Sequence, residues 1–155
     1  MDEHSYWVVT ASADHAARGL REGIVQAGHG KAAPLRRMRA GDGVVIYSPR
    51  TTYPDGAALQ AFTAIGRITA AAPWVGDIGG GFRPWRRGVD WVGGTGMALI
   101  RPLLADLDLT RGQVSWGMAF RHGLRALSAA DFALIEGAMR TAGQGHSKPD
   151  AAPLS

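Results

Sequence analysis

The apolar positions of this chain come in short runs separated by glycine-rich turns, and their spacing outlines a series of small elements. Tyr6 to Thr10 is aromatic and β-branched, the composition of a first strand, and Ser12 then offers an N-cap to a short helix over Ala13 to Arg18, ended by Gly19. Ile24 to Gln26 reads as a strand fragment that runs into the loop around His29. Pro34 suits the first turn of a helix through Met38, where its missing N–H costs nothing, and Gly41-Asp42-Gly43 closes into a turn before the strand Val44 to Ser48.

After the hairpin-like loop Thr51 to Ala58, the segment Gln60 to Ala70 carries Phe62, Ala64, Gly66 and Ile68 at a period of two, which predicts a long strand. Gly66 within it marks a bend or a close approach of backbones. Gly79-Gly80-Gly81 is a turned connection, and Phe82 to Val92 is extended, with Pro84 keeping it from being a regular central strand. Short elements follow at Pro102 to Leu107 and Trp116 to Arg121, then a strand at Leu124 to Leu127. Ser128-Ala129-Ala130-Asp131 opens a last helix whose apolar face is Phe132, Ile135 and Met139. From Thr141 the chain is rich in Pro, Ser and Gly and is expected to be disordered, so the domain is placed at residues 1–140 with a tail over 141–155. Five to six strands with two or three short helices predict an α+β fold, a small mixed β-pseudobarrel rather than a sandwich or a doubly wound sheet.

Composition narrows the chemistry. The 155 residues contain no cysteine, which removes disulfides, thiolate catalysis and cysteine-ligated zinc. No apolar run approaches the ~20 residues that span a bilayer, and the acidic, polar Met1 to Ser5 does not look like a leader, so no membrane contact and a cytoplasmic location are expected. Gly79-Gly80-Gly81 lacks the lysine of a P-loop, no GxGxxG opens a helix, and His4, His15, His29, His122 and His146 lack metal-ligand spacing, so neither cofactor nor metal is expected. The three glutamates, Glu3, Glu22 and Glu136, leave little for carboxylate-pair catalysis. The net charge of +4 suits an anionic partner, and the arginines cluster as Arg36, Arg37 and Arg39 and as Arg83, Arg86 and Arg87 around Trp85.

Several motifs occur in one order: Tyr6-Trp7-Val8-Val9, the stretch from Ile24 through His29-Gly30-Lys31 to Met38, Tyr47-Ser48-Pro49, Gln60 to Gly66, Gly80 to Arg87, Pro102-Leu103-Leu104 and Trp116 to Arg121. In these the chain resembles the EVE-domain family of the PUA-like superfamily, alongside YTH and ASCH domains, over nearly its whole length to Met139. The resemblance implies a PUA-like pseudobarrel and a pocket that accepts one flipped-out base. The implied function is a non-enzymatic reader of a modified base in DNA or RNA, such as 5-methylcytosine, 5-hydroxymethylcytosine or N6-methyladenine. A monomer is expected, with a nuclease or restriction partner acting in trans.

Site residues follow from the same resemblance, each beside a plainer role. Trp85 is a stacking wall or a core tryptophan, and Tyr47, with Ser48 and Pro49, lines the pocket or belongs to the barrel. Thr10, Ala11 and Ser12 stand where related domains contact the base, although Ser12 also suits a helix cap. His29 and Lys31 supply ionisable groups from the most distinctive loop. Phe120 and Arg121 match the family's Phe-Arg pair, with Arg121 holding a phosphate, a base edge or a structural partner, and Trp116 precedes the small Gly117. Arg36, Arg37, Arg86 and Arg87 are assigned to phosphates. Two rivals stand beside this reading: an RNA-binding module of RNA modification or translation, and an amidohydrolase on modified nucleosides, in which Lys31 and Thr10 would act without an evident glutamate.

Overall fold

The computed structural model describes residues 4–26, 31–76 and 84–151, with side chains through 144. Strand β1 (Tyr6–Thr10) leads into α1 (Ala13–Glu22), β2 (Ile24–Val25), α2 (Ala32–Arg37), β3 (Gly43–Arg50), β4 (Ala58–Ile68), β5 (Trp74–Val75), β6 (Trp85–Trp91), β7 (Ala98–Leu99), β8 (Leu124–Leu127) and α3 (Ala129–Ala151). The sheet order is β2-β6-β4-β3-β1-β8, with β7 added to β4 and β5 to β6. β1 and β3 run parallel and the remaining pairs antiparallel. This is the α+β pseudobarrel expected, a curled half-barrel with three helices. It has more strands than expected because β5 and β7, two residues each, are too short for any periodicity to show.

Alternation along β1 and β3 sends side chains to two separate cores. Val8, Val45 and Tyr47 enter one with Phe62, Ile65, Ile100, Phe120 and the α3 residues Phe132, Ile135 and Met139. Trp7, Val9 and Val44 enter the other with Leu35, Met38, Val25, Val89 and Ile68. Ile46 joins Ala16 and Ala64 beneath α1. α3 therefore covers one face, and α1 and α2 cover the other.

Three departures from sequence expectation have clear causes. Phe62 and Ala64, assigned to one face by a period of two, fall in different cores. The pairing moves from Ile46↔Ala64 to Tyr47↔Phe62, so Thr63 is the extra residue of a bulge that reverses the alternation. α1 runs beyond Gly19 to Glu22, ending at Gly23 with φ 70°, whose N–H bonds to the Gly19 carbonyl. Gly19 is glycine for another reason: a Cβ there would stand 2.7 Å from the Ile24 carbonyl oxygen. Gly66 does mark the close approach of β4 to β6, since a Cβ would stand 2.9 Å from the Cα of Trp91.

α3 also continues past Thr141, where composition suggested its end, to Ala151. The Gly96 N–H bonds to the Met139 carbonyl at 2.9 Å, and Gly143 packs on the backbone of Gly94 and Thr95, a long-range contact that local composition cannot show. The triple glycine at Gly79-Gly80-Gly81 and residues 152–155 lie outside the described residues. Among the described residues, no helix is long and apolar enough to cross a membrane.

The N-terminus of α3 carries an acid-sensitive joint. The Ser128 hydroxyl accepts the Asp131 N–H at 3.0 Å and donates to Asp108 at 2.8 Å, while the buried Asp131 carboxylate accepts the N–H groups of Asp108 and Leu109. The Ser128 hydroxyl, followed by Arg111, holds the Asp108 carboxyl below the usual carboxylate range. A carboxyl depressed in the folded state adds stability above its unfolded pKa and loses it as pH falls through the folded value. Asp108→Asn is therefore expected to lower the urea midpoint at pH 7, and the gap from wild type should narrow below about pH 4. Parallel midpoint curves from pH 7 to 2.5 would exclude this role.

Candidate functional site

A cleft of about 110 Å³ opens between α1 and β2. α1 contributes His15, Arg18 and Gly19, β2 and its exit contribute Ile24, Val25 and Gln26, and Ala11, just past β1, and Ile46, within β3, complete the lining. The cleft exists because the α1 face toward the sheet is small: Ala16 and Gly19 are its buried residues, and neither fills the space over Ile46. Trp91 braces it, donating its indole N–H to the Gly19 carbonyl at 3.0 Å and packing against the Ala16, Ile46 and Ala64 group. The Gln26 amide and the His15 imidazole have no hydrogen-bond partner among the described residues, and Arg18 is 3.8 Å from Glu22. The cleft thus has apolar walls and polar groups ready for a ligand at its rim.

At its entrance, Ala11 donates its N–H to the Tyr47 carbonyl at 3.1 Å, which ties the β1 exit to β3. Ser12 occupies the N-cap of α1, yet its buried hydroxyl donates to the Asp14 carboxylate rather than accepting from a helix N–H. That bond, the largest influence on Asp14, lowers its pKa. Thr10 is half-buried and donates its N–H to the Gly123 carbonyl at 3.0 Å.

The expected aromatic pair does not form one pocket. Tyr47 is 3% exposed and lies on the α3 face, stacked on Phe120 at 4.2 Å, whereas Trp85 packs with the Trp7 and Leu35 core on the opposite face. Because adjacent strand residues point to opposite faces, Ile46 in the cleft forces Tyr47 away from it. Trp116 and the buried Phe120 accompany Tyr47, and the Ser48 hydroxyl is fully buried against that of Thr63 at 2.8 Å. Pro49 is half-buried, Lys31 is exposed at the start of α2, Arg121 is exposed with Nη1 on the Met118 sulfur at 3.1 Å, and His29 lies outside the described residues. Of the residues the sequence proposed for the base pocket, Ala11 lines the cleft.

The arginines divide likewise. Arg36 and Arg37 are exposed and lie over the rings of Trp85 and Trp7 at 5.4 and 5.1 Å, free to meet phosphates. Arg87 is not placed for that role: it is 7% exposed and donates to the Met38 carbonyl at 2.9 Å, tying β6 to the end of α2. Its burial pushes the guanidinium pKa down, and the Asp42 carboxylate opposes that shift. Arg86 is engaged with Glu22 at 3.0 Å.

Sequence reasoning passed over His15, Arg18 and Gln26 as site residues, whereas Trp91 is the packing residue its composition suggests. The available signal was His15 and Arg18, three apart on one face of α1, beside the small Ala16 and Gly19. What it lacked was the strand that the face meets.

A family model described as the EVE domain matches residues 5–138. The chain belongs to the EVE-domain family. This EVE domain is 49% identical over 137 residues to a UPF0310 protein of Mesorhizobium japonicum, covering 87% of this chain and 91% of that protein. It is 44% identical over 135 residues to a UPF0310 protein of Mycolicibacterium vanbaalenii, covering 87% and 92%. The UPF0310 protein YdcG of Bacillus subtilis is 33% identical over 135 residues, again covering 87% and 92%. Among solved structures, a crystal structure of an Agrobacterium tumefaciens protein matches with a TM-score of 0.53 at 13% identity, covering 88% of this chain and 94% of that one. A hypothetical protein from Leishmania major matches with a TM-score of 0.51 at 13% identity, covering 93% and 98%. Family and architecture agree: the EVE domain has the α+β PUA-like fold expected of it.

Proposed function

We propose that this EVE domain is a non-enzymatic nucleic-acid-binding module that takes one modified base, flipped out of its strand, into the cleft between α1 and β2. The observation that carries the reading is the cleft itself. An apolar cavity of about 150 Å³ holds a benzene ring, so an open cleft of about 110 Å³ is on the scale of a single planar ring. A flipped base is recognised by apolar or aromatic walls and by hydrogen bonds to its edge. Here Ile24, Val25 and Ile46 supply the walls, and Gln26 and His15 supply edge groups.

Among the described residues, the lining contains no serine, threonine, cysteine, lysine or carboxylate, which favours binding over nucleophilic catalysis. Arg36 and Arg37 suit the flanking phosphates, their guanidinium planes ordered by the indoles beneath them. The ring-sized cleft favours a modified pyrimidine among the bases.

The test is a titration, at two salt concentrations, of matched DNA and RNA oligonucleotides carrying cytosine, 5-methylcytosine, 5-hydroxymethylcytosine, adenine or N6-methyladenine. A tenfold preference for one modified base, about 1.4 kcal/mol, is the expected result. Arg36→Ala and Arg37→Ala should each weaken binding to all oligonucleotides alike and reduce the salt slope by about 1. Salt-sensitive binding indifferent to the base would replace the reader with a generic nucleic-acid binder.

A further inference from the structure

Building on the base-binding reading above, we propose that Arg18 binds the phosphodiester of the flipped nucleotide itself, and that Glu22, held by Arg86, competes for the same guanidinium until the base enters the cleft. Three side chains meet at one carboxylate. Glu22 Oε1 lies 3.0 Å from Arg86 Nη1, and its Oε2 lies 3.8 Å from Arg18 Nε. Two guanidiniums thus share one negative charge, whereas Asp108 with Arg111 and Glu136 with Arg140 pair one to one. The cluster stands at the cleft, because Arg18 is part of the lining beside His15 and Gly19. A base seated there stays joined through its sugar to a phosphate at the mouth, and among the described residues Arg18 is the arginine of that lining.

The two contacts of Glu22 are unequal. The Arg86 side chain is 13% exposed and lies against the backbone of Gly76, where a Cβ would stand 2.5 Å from its Nε, so it is a fixed partner. Arg18 and Glu22 are 46% and 41% exposed, and exposed pairs at such a separation contribute little. Arg18 also precedes Glu22 by four residues, the less favourable order for an ion pair along a helix. Glu22 ends α1, at the negative pole of the helix dipole. Local physics therefore disfavours a carboxylate at this position, and Arg86 is what retains it. The result is a negative charge fixed beside the cleft arginine, whose own hold on that charge is loose.

A phosphate that approaches Arg18 without its base meets the Glu22 carboxylate on the same guanidinium and is repelled. When the base enters the cleft, its burial offsets that repulsion, and the Arg18 fork passes from carboxylate to phosphate. Discrimination is then built from a repulsive charge against the wrong binding mode as well as from contacts to the right one. Arg18 is engaged in the complex with the modified base and not in complexes made through the backbone alone.

The experiment measures the salt dependence of binding by the full chain for the same matched oligonucleotide series, comparing wild type with Arg18→Gln and Glu22→Gln. Each phosphate neutralised adds about 1 to the slope of log affinity against log salt. In wild type the slope for the preferred modified oligonucleotide should exceed that for its unmodified counterpart by about 1. Arg18→Gln, which leaves the Glu22 and Arg86 pair intact, should remove that difference and weaken the modified oligonucleotide roughly fivefold or more, with the unmodified one unchanged. Glu22→Gln should give the unmodified oligonucleotide the steeper slope and bind it severalfold more tightly, whereas a purely structural Glu22 would lower stability without tightening binding. A base preference with equal slopes in wild type, or with Arg18→Gln indistinguishable from wild type, overturns this proposal and leaves the reader standing. Wild type without any base preference overturns both.

Discussion

Asp42→Ala is expected to destabilise the domain by about 2–4 kcal/mol, because it leaves one buried donor and two half-buried ones unsatisfied at about 1–3 kcal/mol each, partly relieved by water. Asp42 is 2% exposed in the turn before β3. Its carboxylate accepts the Trp7 indole N–H at 2.9 Å, the Arg39 N–H at 2.9 Å and the Ser5 N–H at 3.0 Å. One side chain therefore joins the start of β1, the end of the α2 segment and the entry to β3, the central parallel pair of the sheet. Its loss also removes the charge that opposes the desolvation of Arg87. For a chain of this length the effect corresponds to a fall in Tm of roughly 5–15 °C. Asp55→Ala, on an exposed loop residue, is the control and should change stability by less than about 0.5 kcal/mol. Thermal unfolding of the two variants side by side decides it, and equal melting temperatures would show that water replaces the carboxylate at no cost.

Ala11→Phe should abolish recognition of the modified base while leaving the fold intact. Ala11 is half-buried at the cleft, beside the Ala16, Ile46 and Ala64 group, where a phenyl ring would occupy the space proposed for the base. Base stacking is worth about 1–3 kcal/mol, so excluding the base should cost roughly 5- to 150-fold in affinity for the preferred oligonucleotide. Residual, salt-sensitive binding through Arg36 and Arg37 should persist, because those residues lie outside the cleft lining. Trp85→Ala is the informative companion, since Trp85 lies in the core beneath Arg36 and not among the cleft residues. If Trp85→Ala loses the base preference and Ala11→Phe keeps it, the base does not bind between α1 and β2.

Local order is largely legible in the amino-acid sequence. β-branched runs marked β1 and β3, Pro34 and Ser128 marked helix starts, and Gly66 marked the approach of β4 to β6, since each depends on residues adjacent in sequence or on one backbone constraint. The family was legible too, because many short motifs in one order are a property of the chain itself. The site was not, and Trp85 and Tyr47 show why. An aromatic residue beside arginines, or at a strand end before Ser-Pro, has the same local pattern whether it lines a pocket or fills a core. Only the sheet's two faces and the Thr63 bulge decide between these.

Arg87 and Gln26 mark the same division from the other side. Arg87 sits in a basic triplet that reads as phosphate-binding, yet the end of α2 lies over it and takes its guanidinium for backbone carbonyls. Gln26 was an unremarkable polar residue before a glycine-rich loop, and it lines the cleft because β2 pairs with β6 and meets α1. The family, the short elements and the alternation that builds a two-faced sheet are properties of the chain read locally, because they follow from local sterics and hydrophobic spacing. Which small residues leave a cleft open, which arginines stay exposed and which aromatics are buried depend on partners distant along the chain, so they are set only when the elements pack.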